Sequence, residues 1–125
     1  MNPPIRRLPD AELEVMQAVW ECVPPVSRTD IERILQKRRP LAATTVLTVL
    51  ARLTEKRFLS VEKDGRSNSY TPTISRRDYL AAQSKRFVDK LCGGDMSLFA
   101  AALCDSGLSR EDIEELRLLL EKDEL

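Results

Sequence analysis

The chain has 125 residues, 42% hydrophobic and 32% charged, with 20 Lys and Arg balancing 20 Asp and Glu. That length suits one domain, or a small domain with an oligomerisation arm, and a net charge of zero argues against a strong, purely non-specific nucleic-acid binder. The absence of histidine excludes Ser-His-Asp and Cys-His catalysis and His-based metal sites. The four glycines form no phosphate-cradling loop. An enzyme is not expected, and neither a cofactor nor a metal is implied.

No run approaches the ~18 apolar residues of a membrane span, and the N-terminus lacks the apolar stretch of a signal peptide. The expected location is the cytoplasm, with no membrane insertion. Cys22, Cys92 and Cys104 are odd in number and widely spaced, which suggests reduced, buried thiols. Charge is unevenly spread. Residues 1–75 hold 12 Lys and Arg against 9 Asp and Glu; residues 76–125 hold 8 against 11; residues 28–66 hold 10 against 5. A basic part followed by an acidic one is compatible with nucleic-acid binding by the first.

Residues 1–7 are proline-rich and basic, as in a loose arm. Leu13, Val15, Met16, Val19 and Trp20 then give an amphipathic helix over residues 10–21, with Trp20 as a core anchor. Val23-Pro24-Pro25-Val26 breaks it. Ser27-x-x-Asp30 resembles a capping box and opens a second helix with Ile31, Ile34 and Leu35, stopped by Pro40.

Residues 41–58 carry the functional case. Val46, Val49, Leu50 and Leu53 recur at i, i+3, i+4, i+7, the stripe of a helix docked on a core. The opposite face carries Thr44, Thr48, Ala51, Arg52 and Glu55, with Thr45 at its edge. Three threonines and an arginine are poor choices for helix propensity, but they suit contact with base edges and phosphates. Two helices joined by a short break, the second with such a face, match a helix-turn-helix.

Residues 58–63 partly alternate, as a strand should. Asp64-Gly65 signals a turn, and Ser69-Tyr70-Thr71 can return before Pro72. A hairpin directly after the third helix is a wing, and Arg66, Ser67 and Asn68 are expected at its tip, against the sugar-phosphate backbone. Ser27 and Arg28, at the start of the second helix, complete the candidate DNA-contacting set.

From Ser75 the pattern is helical. Ser75-x-x-Asp78 caps a helix with Leu80, Phe87, Val88 and Leu91, ended by Gly93-Gly94. Asp95 caps the next, with Leu98, Phe99, Ala102 and Leu103. After Gly107, Ser109-x-x-Asp112 caps the last, with Ile113, Leu116, Leu119 and Leu120. About 45 residues are few for an independent core. These apolar residues are therefore expected to pack against a second copy, which would set two recognition helices about 34 Å apart. The expected architecture is mainly α with a small antiparallel hairpin: a winged helix-turn-helix domain over residues 1–74 and a three-helix dimerisation domain over residues 75–125.

Several stretches together resemble the penicillinase-repressor family, the BlaI/MecI-type repressors. They are Leu8 with Ala11-Glu12-Leu13-Glu14-Val15-Met16 and Trp20, the run from Thr44 to Lys56, Tyr70-Thr71-Pro72, Gly93-Gly94-Asp95 and Asp112-Ile113-Glu114-Glu115-Leu116. The resemblance implies a homodimer repressing transcription from a pseudo-palindromic double-stranded DNA operator. It places DNA contacts on Thr44, Thr45, Thr48 and Arg52, and a wing contact on Arg66 and its neighbours. It also implies relief by a membrane-bound sensor protease, cutting here between Ala101 and Ala102. That neighbourhood reads Phe99-Ala100-Ala101-Ala102-Leu103 rather than the Asn-Phe of the best-known members. Arg57 stands where glycine is usual after the third helix, and Leu47 where some relatives carry arginine.

Two other function classes compete with the repressor. One is a winged helix used as a protein-docking adaptor, without specific DNA binding. The other is thiol redox sensing, which needs a cysteine of lowered pKa; Cys92 lies at a helix end, where the dipole opposes a thiolate.

Overall fold

Capping residues and prolines divide the chain into its elements. The computed structural model describes residues 5–121, apart from the Asp64 side chain; residues 1–4 of the expected arm lie outside them. The order is α1 (Asp10–Trp20), β1 (Val26–Ser27), α2 (Arg28–Gln36), α3 (Ala43–Glu55), β2 (Leu59–Asp64), β3 (Ser67–Pro72), α4 (Arg76–Leu91), α5 (Met96–Asp105) and α6 (Arg110–Glu121). Two compact units result, Met1–Ala82 and Gln83–Leu125.

In the first unit, α2 opens with the expected reciprocal cap. The Asp30 N–H donates to Ser27 Oγ at 3.1 Å, and the Ser27 N–H to Asp30 Oδ2 at 3.3 Å. Such a box satisfies two helix-end donors that would otherwise lack partners. Helix α3 ends differently. Lys56 is its C-cap, and Arg57 follows at φ 64°, a left-handed conformation that costs a non-glycine residue about 1–2 kcal/mol. The Phe58 N–H reaches back to the Leu53 carbonyl at 2.9 Å and the Arg57 N–H to that of Thr54 at 3.1 Å. That pair of bonds is a Schellman motif, which turns the chain sharply into β2.

The three strands form an antiparallel sheet in the order β1-β3-β2, with Tyr70 of β3 opposite both Val26 and Val61. The two-residue β1 is an addition to the expected hairpin. Asp64 pairs with Ser67, so the turn is Gly65-Arg66. Gly65 has φ 65°, at the first central position, where two-residue hairpins favour glycine. Of the three residues expected at the tip, only Arg66 lies there; Ser67 and Asn68 already belong to β3, because so short a loop leaves no room for them.

Val15, Met16, Val19, Val26, Ile31, Leu35, Val46, Leu50, Leu53, Phe58 and Leu59 are almost wholly buried in one cluster. Each such side chain contributes about 1.5–3 kcal/mol of burial before entropy is charged against it. Trp20 anchors the edge of this core, its indole N–H donating to the Ile74 carbonyl at 3.0 Å. Tyr79, in the first turn of α4, closes it. Its hydroxyl accepts from the Leu8 N–H at 2.9 Å, and its ring meets Trp20 and Phe58 at centroid distances of 5.6 and 5.8 Å. The start of α4 therefore packs with the first unit rather than after the expected break at residue 74, and Leu80 falls in that unit too.

In the second unit, Asp95 caps α5 through the Ser97 N–H at 2.8 Å. Ser109 and Asp112 cap α6 reciprocally at 3.0 and 3.2 Å. Phe87 and Phe99 meet edge to face, 5.8 Å apart, so both rings pack within the chain. No residue of α5 or α6 is buried. Cys92 is buried and Cys22 half-buried, but Cys104, on solvated α5, is exposed, contrary to expectation. Among the described residues no helix is long and apolar enough to cross a membrane.

Candidate nucleic-acid interface

The apolar stripe of α3 is committed inward: Val46, Leu50 and Leu53 have no exposed surface, and Val49 only 4%. Helical geometry then turns Thr44, Thr45, Thr48, Ala51, Arg52 and Glu55 to solvent, and all six are exposed. No side chain caps the start of α3 and no acidic residue lies in its first turn. The positive end of its dipole thus stays available to an anion, whereas the Asp30 carboxylate occupies that of α2.

Two grooves run along the wing side of this ridge. One, of about 330 Å³, is lined by Ser27, Arg28, Thr29, Leu47, Arg66, Ser67, Asn68 and Tyr70. It gathers five of the expected contact residues, Ser27, Arg28, Arg66, Ser67 and Asn68, from the start of α2 and from the wing, alongside α3. Thr44, Thr45, Thr48 and Arg52 do not line it; they form the ridge itself. The sequence reading passed over Thr29 and Tyr70 in this groove and marked Leu47 only as standing where some relatives carry arginine. Leu47 was detectable as an apolar side chain off the core stripe. Tyr70 emerges only once β3 is paired.

Cations differ in their freedom here. Arg28 lies 3.5 Å from Glu32 in a one-turn ion pair, whereas Arg52 makes no ion pair with any described residue and keeps its guanidinium fork for an outside acceptor. Two further pairs brace the helices behind the ridge. Lys56, at the end of α3, bonds the buried Glu12 carboxylate of α1 at 2.5 Å. Arg38 bonds Glu21 at 2.5 Å, and that hydrogen bond holds the Glu21 carboxyl below its ordinary pKa and the Arg38 guanidinium above its own. Cys22 is a poor redox centre. Burial first, then Asp30 and Glu21, push its thiol up, which disfavours the reactive thiolate. Among the described residues no group of three Cys, Asp or Glu is placed to hold a metal ion.

Three helices, a three-stranded sheet with a protruding hairpin, and a solvent-facing third helix define a winged helix-turn-helix protein. The penicillinase repressor family model matches residues 8–122. A penicillinase repressor of Bacillus licheniformis is 34% identical over 119 residues, covering 94% of this chain and 92% of its own. The methicillin resistance regulatory protein MecI of Staphylococcus aureus (strain N315) is 33% identical over 113 residues, covering 90% and 91%. The solution structure of the DNA-binding domain of the repressor BlaI is 34% identical, covers 63% of this chain and 94% of its own, and superposes with a TM-score of 0.52. The chain belongs to the penicillinase repressor family.

Proposed function

We propose that this chain is a transcriptional repressor that binds double-stranded DNA through its first unit, as a homodimer on a pseudo-palindromic operator. The observation that carries the reading is the division of α3: four apolar side chains locked in the core and an outward ridge of Thr44, Thr45, Thr48 and Arg52. Ser27, Arg28, Arg66 and Ser67 around the adjoining groove would grip the sugar-phosphate backbone, while the ridge enters the major groove. The names of the relatives, repressors and a DNA-binding domain, point the same way and favour DNA over a protein-docking role.

Dimerisation is supported by the second unit. Leu91, Leu98, Leu118, Leu119 and Leu120 are exposed on helices whose apolar content is high enough to bury. A second copy of the same surface is the economical cover. Leu103 and Leu116 are half-buried and would contribute from the edges. Ala101 and Ala102 are exposed on α5. Cleavage between them by a membrane-bound sensor protease would separate α6 from the rest and weaken the dimer.

The test is binding of the purified full chain to duplexes from the promoter of its own gene, across a salt series. A specific repressor shows a high ratio of specific to non-specific affinity and a steep fall of log K with log salt. An adaptor shows neither.

A further inference from the structure

At the centre of the outward face of α3, Thr48 is less polar than its residue type implies. Its hydroxyl donates to the Thr44 carbonyl at 2.9 Å, so the hydroxyl hydrogen is committed within the helix. Thr48 keeps only oxygen lone pairs and a γ-methyl for an outside partner. At ~100° per residue, Leu47 and Ala51 fall on one side of Thr48 and Arg52 on the other. Leu47 is 42% exposed and Ala51 is exposed. Both line a second groove, of about 340 Å³, shared with Val61 and Tyr70 of the sheet. Val61 is itself 43% exposed.

We propose that Leu47 and Ala51, with the Thr48 γ-methyl, form a strip that selects thymine in the operator half-site; this rests on the DNA-binding reading. The occupant follows from what borders the strip. Leu47 also lines the groove that holds Arg28 and Arg66, so whatever lies against it is apolar at one point and anionic close by. Duplex DNA has that combination: phosphates along the strand and, in the major groove, one large apolar group, the C5-methyl of thymine. Arg52, across Thr48, faces the next bases with a donor fork suited to guanine. The ridge therefore divides its labour, apolar contact on the wing side and charge-assisted hydrogen bonding on the other.

The experiment starts from a random library of duplexes selected by the full-length chain. In an enriched duplex each thymine is then replaced in turn by deoxyuridine, which removes only the methyl. At one or two positions per half-site affinity should fall about fourfold, the factor that burying one methyl supplies. In Leu47→Ala the penalty at one of these positions should vanish. A library reselected with Leu47→Gln should lose its thymine there in favour of adenine, which glutamine can bond twice. Enriched duplexes indifferent to deoxyuridine everywhere, or a full penalty persisting in Leu47→Ala, would overturn the thymine strip and leave DNA binding standing. A library in which nothing is enriched would overturn both.

Discussion

Helices α3 and α6 have the same apolar period but treat it oppositely. The stripe of α3 is buried at every position, Val46, Val49, Leu50 and Leu53 being at most 4% exposed; on α6, Ile113, Leu119 and Leu120 are 41, 36 and 56% exposed. A stripe is therefore a demand for a partner surface, not a statement of where that surface comes from. For α3 the rest of its own unit supplies it, so its polar face is free to be functional. For α6 the proposed supplier is a second chain.

The contrast is sharpened most by removing one leucine from each helix. Leu50→Ala should lower the unfolding free energy by about 2–5 kcal/mol, by the same amount at every protein concentration. Leu119→Ala should act through the dimer, so its effect on the unfolding midpoint should depend on protein concentration. Urea unfolding at two concentrations decides, and concentration-independent loss in both would remove the contrast.

Truncation comes next. Tyr79 holds Leu8, Trp20 and Phe58 from α4, so a fragment of residues 1–74 should be less stable than one of residues 1–82 by about 3–5 kcal/mol, the cost of emptying an aromatic site. Equal midpoints by circular dichroism would mean that Tyr79 closes nothing. Arg52→Ala should cost about 1–3 kcal/mol of operator affinity while leaving the unfolding midpoint in place. A shift in both would make Arg52 a structural residue. Arg57→Gly should raise stability by about 1 kcal/mol, by relieving the left-handed turn.

The smallest effect is on pH. Arg38 lowers the Glu21 pKa, so this ion pair supports the folded state above the ordinary carboxylate range. Its support is lost as pH falls through the depressed value. Melting scans from neutral to acid pH should therefore fall slightly less steeply for Glu21→Gln than for the parent; both residues are exposed, which keeps the difference small.

Much of this was legible in the sequence because it is local. The α3 stripe and the Ser27-Asp30 box each depend on residues within two helical turns. What was missed depends on distant pairing. Glu12 stands in the first turn of α1, where an acid suits the helix dipole, but its carboxylate is buried against Lys56, 44 positions along. Tyr79 drew no notice because its partner Leu8 lies 71 positions away. Strand β1 is only two residues long, too short for any alternation to register. The ridge residues were identified individually, but the gathering of Ser27, Arg28, Arg66 and Leu47 around one groove required the wing to be folded against α2 and α3.

The most direct test of the outward ridge is a footprint of the full-length protein upstream of its own gene, run beside Arg52→Ala. The account predicts two protected patches, centred about 10 base pairs or a multiple apart as in other paired recognition helices, fading in the variant. No protection at low salt, or a footprint unchanged by the loss of Arg52, would contradict it.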